Sequence, residues 1–446
     1  MNRRAAVGIL LAGVVMQGAI AALGVPPAGR GLAGDEQMYV RVAGDLAAGR
    51  AVELDPLWPP GYPVLLGAWV SLTGSLLGFF ALQVLAHLVA AALLARLGWC
   101  LTGDWRVAGL AATFLAIDPQ VAAFAQTYWP ETLHLALVVA LLVAATEGIE
   151  SDRGAVAFGA GLGAALLLKS LLTPFVPVLL FSALLGGLPR ARWRRAALAA
   201  GVMALLLAPA VWSNHRRHGF WGVADSTRFN LALGLADRSP RSLRDDGAYA
   251  FLLEYQASGA TFADRQRALG QRIRGELERR GAAAILAAQL GRQYFRLFDR
   301  ESYFAAMLPG SGALAAIGQG FRDPPAALAA TLGLLGALLY GVVLITAPFG
   351  GLLLLAKRDR RAWLPLAFVG YQVALFFFLH VKARYRLPLL PVLDLTAALA
   401  LVQLADRFRG RPVERWSSGR WAVGWIGGAV GGALLLLFGF GAGLLG

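Results

Sequence analysis

Two carboxylates stand side by side in "GLAGDEQMYV", Asp35 and Glu36, just after the first apolar run of the chain. A third, Glu131, opens the segment "TYWPETLHLAL". A positioned carboxylate can take the proton of an attacking hydroxyl. Each also has an ordinary explanation. Acidic groups favour the positive end of a helix dipole, and Pro130 followed by Glu131 is a common helix start. His134 lies one turn beyond Glu131 on the same face, where a lone histidine is more often packed than reactive. The cations form a second set. "HVKARYRLPLLP" (380–391) gathers His380, Lys382, Arg384 and Arg386, and "LLLKSLLTP" places Lys169 near Pro174. Lys169 and Lys382 are two of only three lysines among 41 basic residues, so this chain uses arginine by default. Arginine grips phosphate with paired N–H bonds, and lysine does so as a point charge. Together the two sets suit one reaction class, group transfer from a phosphate-bearing lipid. The cations would stabilise the leaving phosphate as its charge develops, and a carboxylate would deprotonate the acceptor.

The elements that must hold these residues are membrane helices. Of the 446 residues, 58% are hydrophobic and only 15% charged, against about one-quarter charged in soluble domains. Apolar runs of bilayer-spanning length recur along the chain. About eleven spans are expected, near 5–25, 78–98, 106–126, 131–149, 154–168, 171–188, 196–213, 326–356, 362–380, 386–405 and 420–445. The chain is thus expected to be an all-α, polytopic protein of the inner (plasma) membrane. The first run is longer than the apolar core of a signal peptide and reads as an uncleaved helix.

Charge sets the orientation. The dense basic stretches "LPRARWRR" (188–195), "KRDRR" (357–361) and "DRFRGRPVERWSSGR" (406–420) alternate onto the same side as Arg3 and Arg4. The positive-inside rule makes that side cytoplasmic. The loop 26–77, the turns near 127–131, 169–173 and 380–386, and the long loop 214–325 then face outward. Basic residues are unusual in short outer turns, which makes 380–386 an anion-binding candidate rather than a row of snorkelling side chains. Three regions follow. Residues 1–213 form an N-terminal transmembrane module carrying the first outer loop, 214–325 an extracytoplasmic helical subdomain, and 326–446 the last spans. Short helices lying on the membrane surface are expected over 36–48 and 58–74, and longer ones over 262–280 and 282–308.

Composition also excludes. A net charge of +15 might suggest nucleic acid, but basic membrane loops account for it and no stacking aromatics accompany it. The lone Cys100 rules out a disulfide framework or a cysteine metal site. No His-rich or Asp-rich cage marks a metal site, so no cofactor is expected. A divalent ion between Asp35 and Glu131 is a minority reading.

In their order, these motifs resemble the GT-C membrane glycosyltransferases, above all the protein O-mannosyltransferase and aminoarabinose–lipid A transferase group. The resemblance rests on Asp35, Glu36, Tyr39, Pro59, Pro60, Gly61, Tyr62 and Gly74 in the first outer loop. It extends to "YWPETLHLALVVALL", "LKSLLTP" and "ARYRLPLLPVLDLTAALAL". It implies a GT-C-type bundle, a polyprenyl-phosphate sugar donor, inversion at the anomeric centre and Asp35 as the base. Glu36 and Glu131 would assist. Lys169, Lys382, Arg384 and Arg386 would bind the donor phosphate, and Tyr39, Tyr62, His134, His380 and Tyr385 would line the substrate site. The acceptor could be a glycan, a lipid or a protein. One departure is plain: the large outer loop lies between the seventh and eighth spans, not after the last. Two other classes remain open, a ligase or polymerase using a diphosphate-linked glycan, and a flippase or transporter. The scarcity of mid-span charge and the lack of paired broken helices count against the last.

Overall fold

A computed structural model describes residues 3–26, 28–52, 54–184, 189–236, 246–310, 312–357, 359–410 and 418–441. Its regular elements are helices, and the extended backbone among the described residues pairs at an isolated bridge between Arg30 and Phe321. Among the described residues, six helices are long and apolar enough to cross a membrane: Arg4–Leu23, Phe79–Thr102, Ala191–His218, Ala326–Ala356, Arg361–Phe378 and Ala383–Phe408. The chain is a multi-pass membrane protein.

The expectation of about eleven spans is not met by length. The run 106–126 is two helices, Trp105–Ile117 and Pro119–Phe124. Asp118 breaks it by accepting the Gln120 N–H at 2.8 Å, with Pro119 at the first helical position. Glu131–Glu147 and Asp152–Leu168 have 17 residues each, about 25 Å of helix against a hydrocarbon core of about 30 Å. The run 171–188 opens as a 3-10 turn, Ser170–Phe175, around Pro174 and continues as Val176–Leu184; its last residues lie outside the described ones. The run 420–445 is the helix Ser418–Phe440, and its last residues lie outside the described ones.

Burial distinguishes centre from rim. Leu390–Phe408 is apolar on nearly every face and buries Leu390, Val392, Leu395, Ala397, Ala398 and Ala400, as a helix enclosed by others must. Pro189–His218 instead leaves Leu205 and Trp212 exposed, which is the dress of a lipid-facing surface.

Between spans, Glu36–Ala47 packs on Gly61–Thr73. Within 214–325, Phe262–Arg280 forms with a reciprocal cap between Thr261 and Asp264. The helix expected over 282–308 is interrupted. Ala282–Phe298 stops at Asp299, which turns to accept the Glu301 N–H, and Ser302 caps a new helix, Tyr303–Met307. Thr227–Ala236 and Asp246–Ala257 are further helices of this segment. The segment is tied to the first long loop. Arg265 pairs with Asp55 at 2.8 Å, the Asp225 N–H donates to the Pro56 carbonyl, and Leu57 shares a small core with Leu233, Phe251 and Tyr255.

Candidate active site

Asp35 follows Gly34, which holds a positive φ of 52° that other residues rarely adopt. The turn aims Asp35 away from the helix it precedes. Its side chain caps no backbone N–H of Glu36–Ala47, so the helix-dipole explanation misses its strongest contact. Asp35 Oδ2 accepts from Arg384 Nη2 at 2.6 Å, across 349 residues of chain. Arg384 stands on the 3-10 turn Ala383–Leu389, which contains Pro388. Its guanidinium lies 4.8 Å from the Trp129 ring and 5.6 Å from the rings of Tyr303 and Tyr385, a cation held between aromatic faces.

The same arginine reaches the second carboxylate. Glu131 Oε1 lies 3.6 Å from Arg384 Nε and accepts from Lys169 Nζ at 2.8 Å. Glu131 is in the first turn of its helix, and Lys169 follows the last residue of Asp152–Leu168. Each charge thus sits at the helix end whose dipole favours it. The second Glu131 oxygen, Oε2, is buried without a hydrogen-bond partner among the described residues. Asp35, Arg384, Glu131 and Lys169 therefore form a line of alternating charge. Burial pushes the Asp35 carboxyl up, but Arg384, Lys382 and Lys169 together outweigh it and leave it below its ordinary value of 3.8. Lys382 makes no ion pair among the described residues and acts on Asp35 through its charge alone.

Other expected residues are placed around or apart from this line. Tyr39 lies one helical turn beyond Asp35, buried, its ring edge-on to Tyr62 at 5.1 Å. Tyr62 is fully buried and donates to Gln83, so it supports Tyr39 from behind. Tyr385 stacks on Phe376 beneath Lys169. His134 is buried on the Glu131 helix with neither ring nitrogen hydrogen-bonded among the described residues.

Three residues do not join. Glu36 points the opposite way from its neighbour. Its Oε1 accepts from Arg30 Nη2 at 2.8 Å and the Tyr128 N–H at 2.7 Å, and its Oε2 from Arg30 Nη1 at 2.6 Å and the Ala33 N–H at 2.7 Å. Both partners are fully buried. Each oxygen is engaged twice, and the pair fastens the 30–36 loop to the loop before Glu131. Arg386 turns into the interior. It donates to Gln120 Oε1 at 2.7 Å and to the Asp299 carbonyl, with its guanidinium 4.4 Å from the Tyr340 ring. His380 is buried beside Arg296, 3.3 Å from its Nη1. Glu36 and Arg386 are thus engaged by groups of the protein itself.

The sequence reading missed Arg30, Trp129 and Tyr303. Arg30 is a basic residue in the same loop as Asp35, a signal like the one used for 380–386. Trp129 lies inside the quoted motif. Tyr303 lies in a long loop with no local sign of its role. A divalent ion does not fit here, because Arg384 stands between Asp35 and Glu131. A cavity of about 10 Å³ lies beside Arg384, lined by Gln120, Tyr303, Arg386 and Leu390 among others. It has room for about one water.

No protein-family model matches the sequence, and no curated protein matches it significantly. Solved structures do match. The oligosaccharyltransferase of Archaeoglobus fulgidus in its apo form is 16% identical, with a TM-score of 0.53 over 96% of this chain and 56% of that one. The same enzyme in complex with Zn and sulfate is 14% identical, with a TM-score of 0.50 over 95% and 52%. The fold is GT-C-like. The chain spans little more than half the length of the archaeal enzyme it matches. ArnT from Cupriavidus metallidurans bound to undecaprenyl phosphate is 15% identical over 90% of this chain and 79% of that one, but its TM-score of 0.38 is too loose to weigh.

Proposed function

We propose that this GT-C-like protein is an inverting glycosyltransferase that moves a sugar from a polyprenyl-phosphate donor to an acceptor hydroxyl at the outer face of the membrane. The observation that carries the reading is the meeting of Asp35 with Arg384 at 2.6 Å, beside Glu131 and Lys169. A base and phosphate-binding cations from distant parts of the chain converge on one place.

Arg384, Lys382 and Lys169 bind the donor phosphate. Asp35 accepts the proton of the acceptor hydroxyl as that oxygen attacks the anomeric carbon. The bond from this carbon to the phosphate oxygen breaks, and the charge left on the phosphate falls to the cations. Attack opposite the leaving phosphate inverts the centre. Glu131 positions Lys169 and Arg384 and takes no proton from substrate. A general base contributes about 10²- to 10⁴-fold, and one well-aimed donor to a developing anion about 10²- to 10³-fold. Tyr39 and Tyr385 flank the place where the sugar would sit.

Purified protein incubated with a panel of polyprenyl-phosphate sugars and an acceptor glycan, lipid or peptide tests the reaction class. Release of free polyprenyl phosphate is expected from one such donor. No release from that panel, with polyprenyl diphosphate released instead from diphosphate-linked glycans, would support the ligase or polymerase.

A further inference from the structure

The cations that would take the donor phosphate are already in use. Arg384 gives Nη2 to Asp35 at 2.6 Å and holds Nε 3.6 Å from Glu131. Lys169 is bound to the same Glu131 oxygen at 2.8 Å. Of the cations acting on Asp35, Lys382 is the one without an ion pair among the described residues. The base and the phosphate-binding arginine therefore neutralise each other, beside a cavity with room for about one water. The Asp35–Arg384 pair is only partly enclosed, with side-chain exposures of 30% and 10%. It can exchange partners without stranding a fully buried charge.

We propose that the donor's phosphate displaces Asp35 from Arg384, so that the base is released only in protein already loaded with donor. The inference rests on the donor reading above. A phosphate bonded to Arg384 brings a negative charge next to the Asp35 carboxylate. Like charges at such separation disfavour one another, so the carboxylate leaves the arginine and gains affinity for a proton. Glu131 stays behind as anchor. It retains Lys169, and its buried Oε2 has no partner to lose. Two consequences follow. Donor binds before acceptor, and an empty site deprotonates neither acceptor nor water.

Competition gives a test independent of turnover. If Asp35 and phosphate compete for Arg384, removing the carboxylate strengthens lipid-phosphate binding while abolishing transfer. Binding of polyprenyl phosphate to the full chain in detergent is measured for wild type, Asp35→Asn, Arg384→Gln and the double variant. Asp35→Asn is expected to bind up to about fivefold more tightly than wild type, the scale of a partly exposed ion pair. The gain should vanish in the Arg384→Gln background, with Arg384→Lys as the second background if that variant does not fold. Unchanged or weaker binding by Asp35→Asn overturns the proposal. So does an equal gain with and without Arg384, which would be simple loss of repulsion. If neither wild type nor Asp35→Asn binds polyprenyl phosphate, the donor reading itself falls and the displacement falls with it.

Discussion

Asp35 and Glu36 are chain neighbours with separate surroundings, and each predicts a different defect. Asp35 is partly exposed, and its contacts are side-chain charges. Its folded-state pKa is depressed below 3.8 by Arg384, Lys382 and Lys169 against the upward push of burial. A depressed carboxylate stabilises the fold above its unfolded value, and that contribution is lost as pH falls through the folded value. The melting-temperature gap between wild type and Asp35→Asn should therefore hold steady from about pH 8 to about pH 5 and close below about pH 4. A gap that instead widened in acid would contradict the pairing with Arg384. The residue pattern singled out Asp35 and Glu36 together as carboxylates outside a first span, with the helix dipole as their ordinary explanation. It could not separate Asp35 from Glu36, because the separation depends on Arg30 and on the Tyr128 N–H, both brought in by folding. The same holds for Arg384 and Arg386. They sit two apart on a tight 3-10 turn, and the contacts of Gln120 and Asp299 decide which faces inward.

At the scale of elements, the site is held by short pieces rather than by spans. The 30–36 loop and the 126–131 loop are joined by the Arg30–Glu36 clamp, with Arg30 also donating to the Gln126 carbonyl at 3.2 Å. Breaking a fully buried ion pair by removing one partner typically costs about 3–5 kcal/mol. Arg30→Gln should therefore lower the melting temperature and the yield of folded protein. Asp35→Asn, whose pair is partly exposed, should lower both much less at neutral pH. Similar yields and melting curves for the two variants would refute the assignment of Glu36 to structure. Gly61 plays a related part where Gly61–Thr73 meets the end of the Lys169 helix, since an added Cβ would come 2.6 Å from the Leu167 carbonyl. One long apolar element was legible to the residue, the run 326–356 being the helix Ala326–Ala356, while the run 196–213 is the longer Pro189–His218. Elements with a polar break were not. Hydropathy averages over Asp118 and Asp299, and a single capping side chain in each place ends a helix that the average continues.

The whole molecule follows from where charge and apolar surface lie. A GT-C-like arrangement of helices gathers Asp35, Glu131, Lys169, Lys382 and Arg384 at one end of the bundle. The positive-inside rule would assign the basic stretches 357–361 and 406–420 to the cytoplasm. That orientation predicts opposite labelling of two probe cysteines in a Cys100→Ser background. Ala257→Cys, exposed at the end of Asp246–Ala257, should react with an impermeant thiol reagent in intact cells. Phe408→Cys, exposed at the end of Leu390–Phe408, should react only after permeabilisation. The reverse pattern would put the site on the cytoplasmic side. The order of helices was readable from hydropathy because lipid imposes apolar length. The union of loop 52–58 with segment 214–325 was not, because Asp55, Arg265 and Leu57 carry no signal until they meet.

The most direct test of the central claim is a turnover measurement on purified wild type and Asp35→Asn side by side. Both are given a polyprenyl-phosphate sugar and an acceptor, and free polyprenyl phosphate and the anomeric configuration of the product are read together. Wild type should release the lipid phosphate and yield an inverted product, while Asp35→Asn, equally folded, should lose at least about 10²-fold in rate. Equal release by the two proteins, or a product of retained configuration, would contradict Asp35 as the base of an inverting transfer.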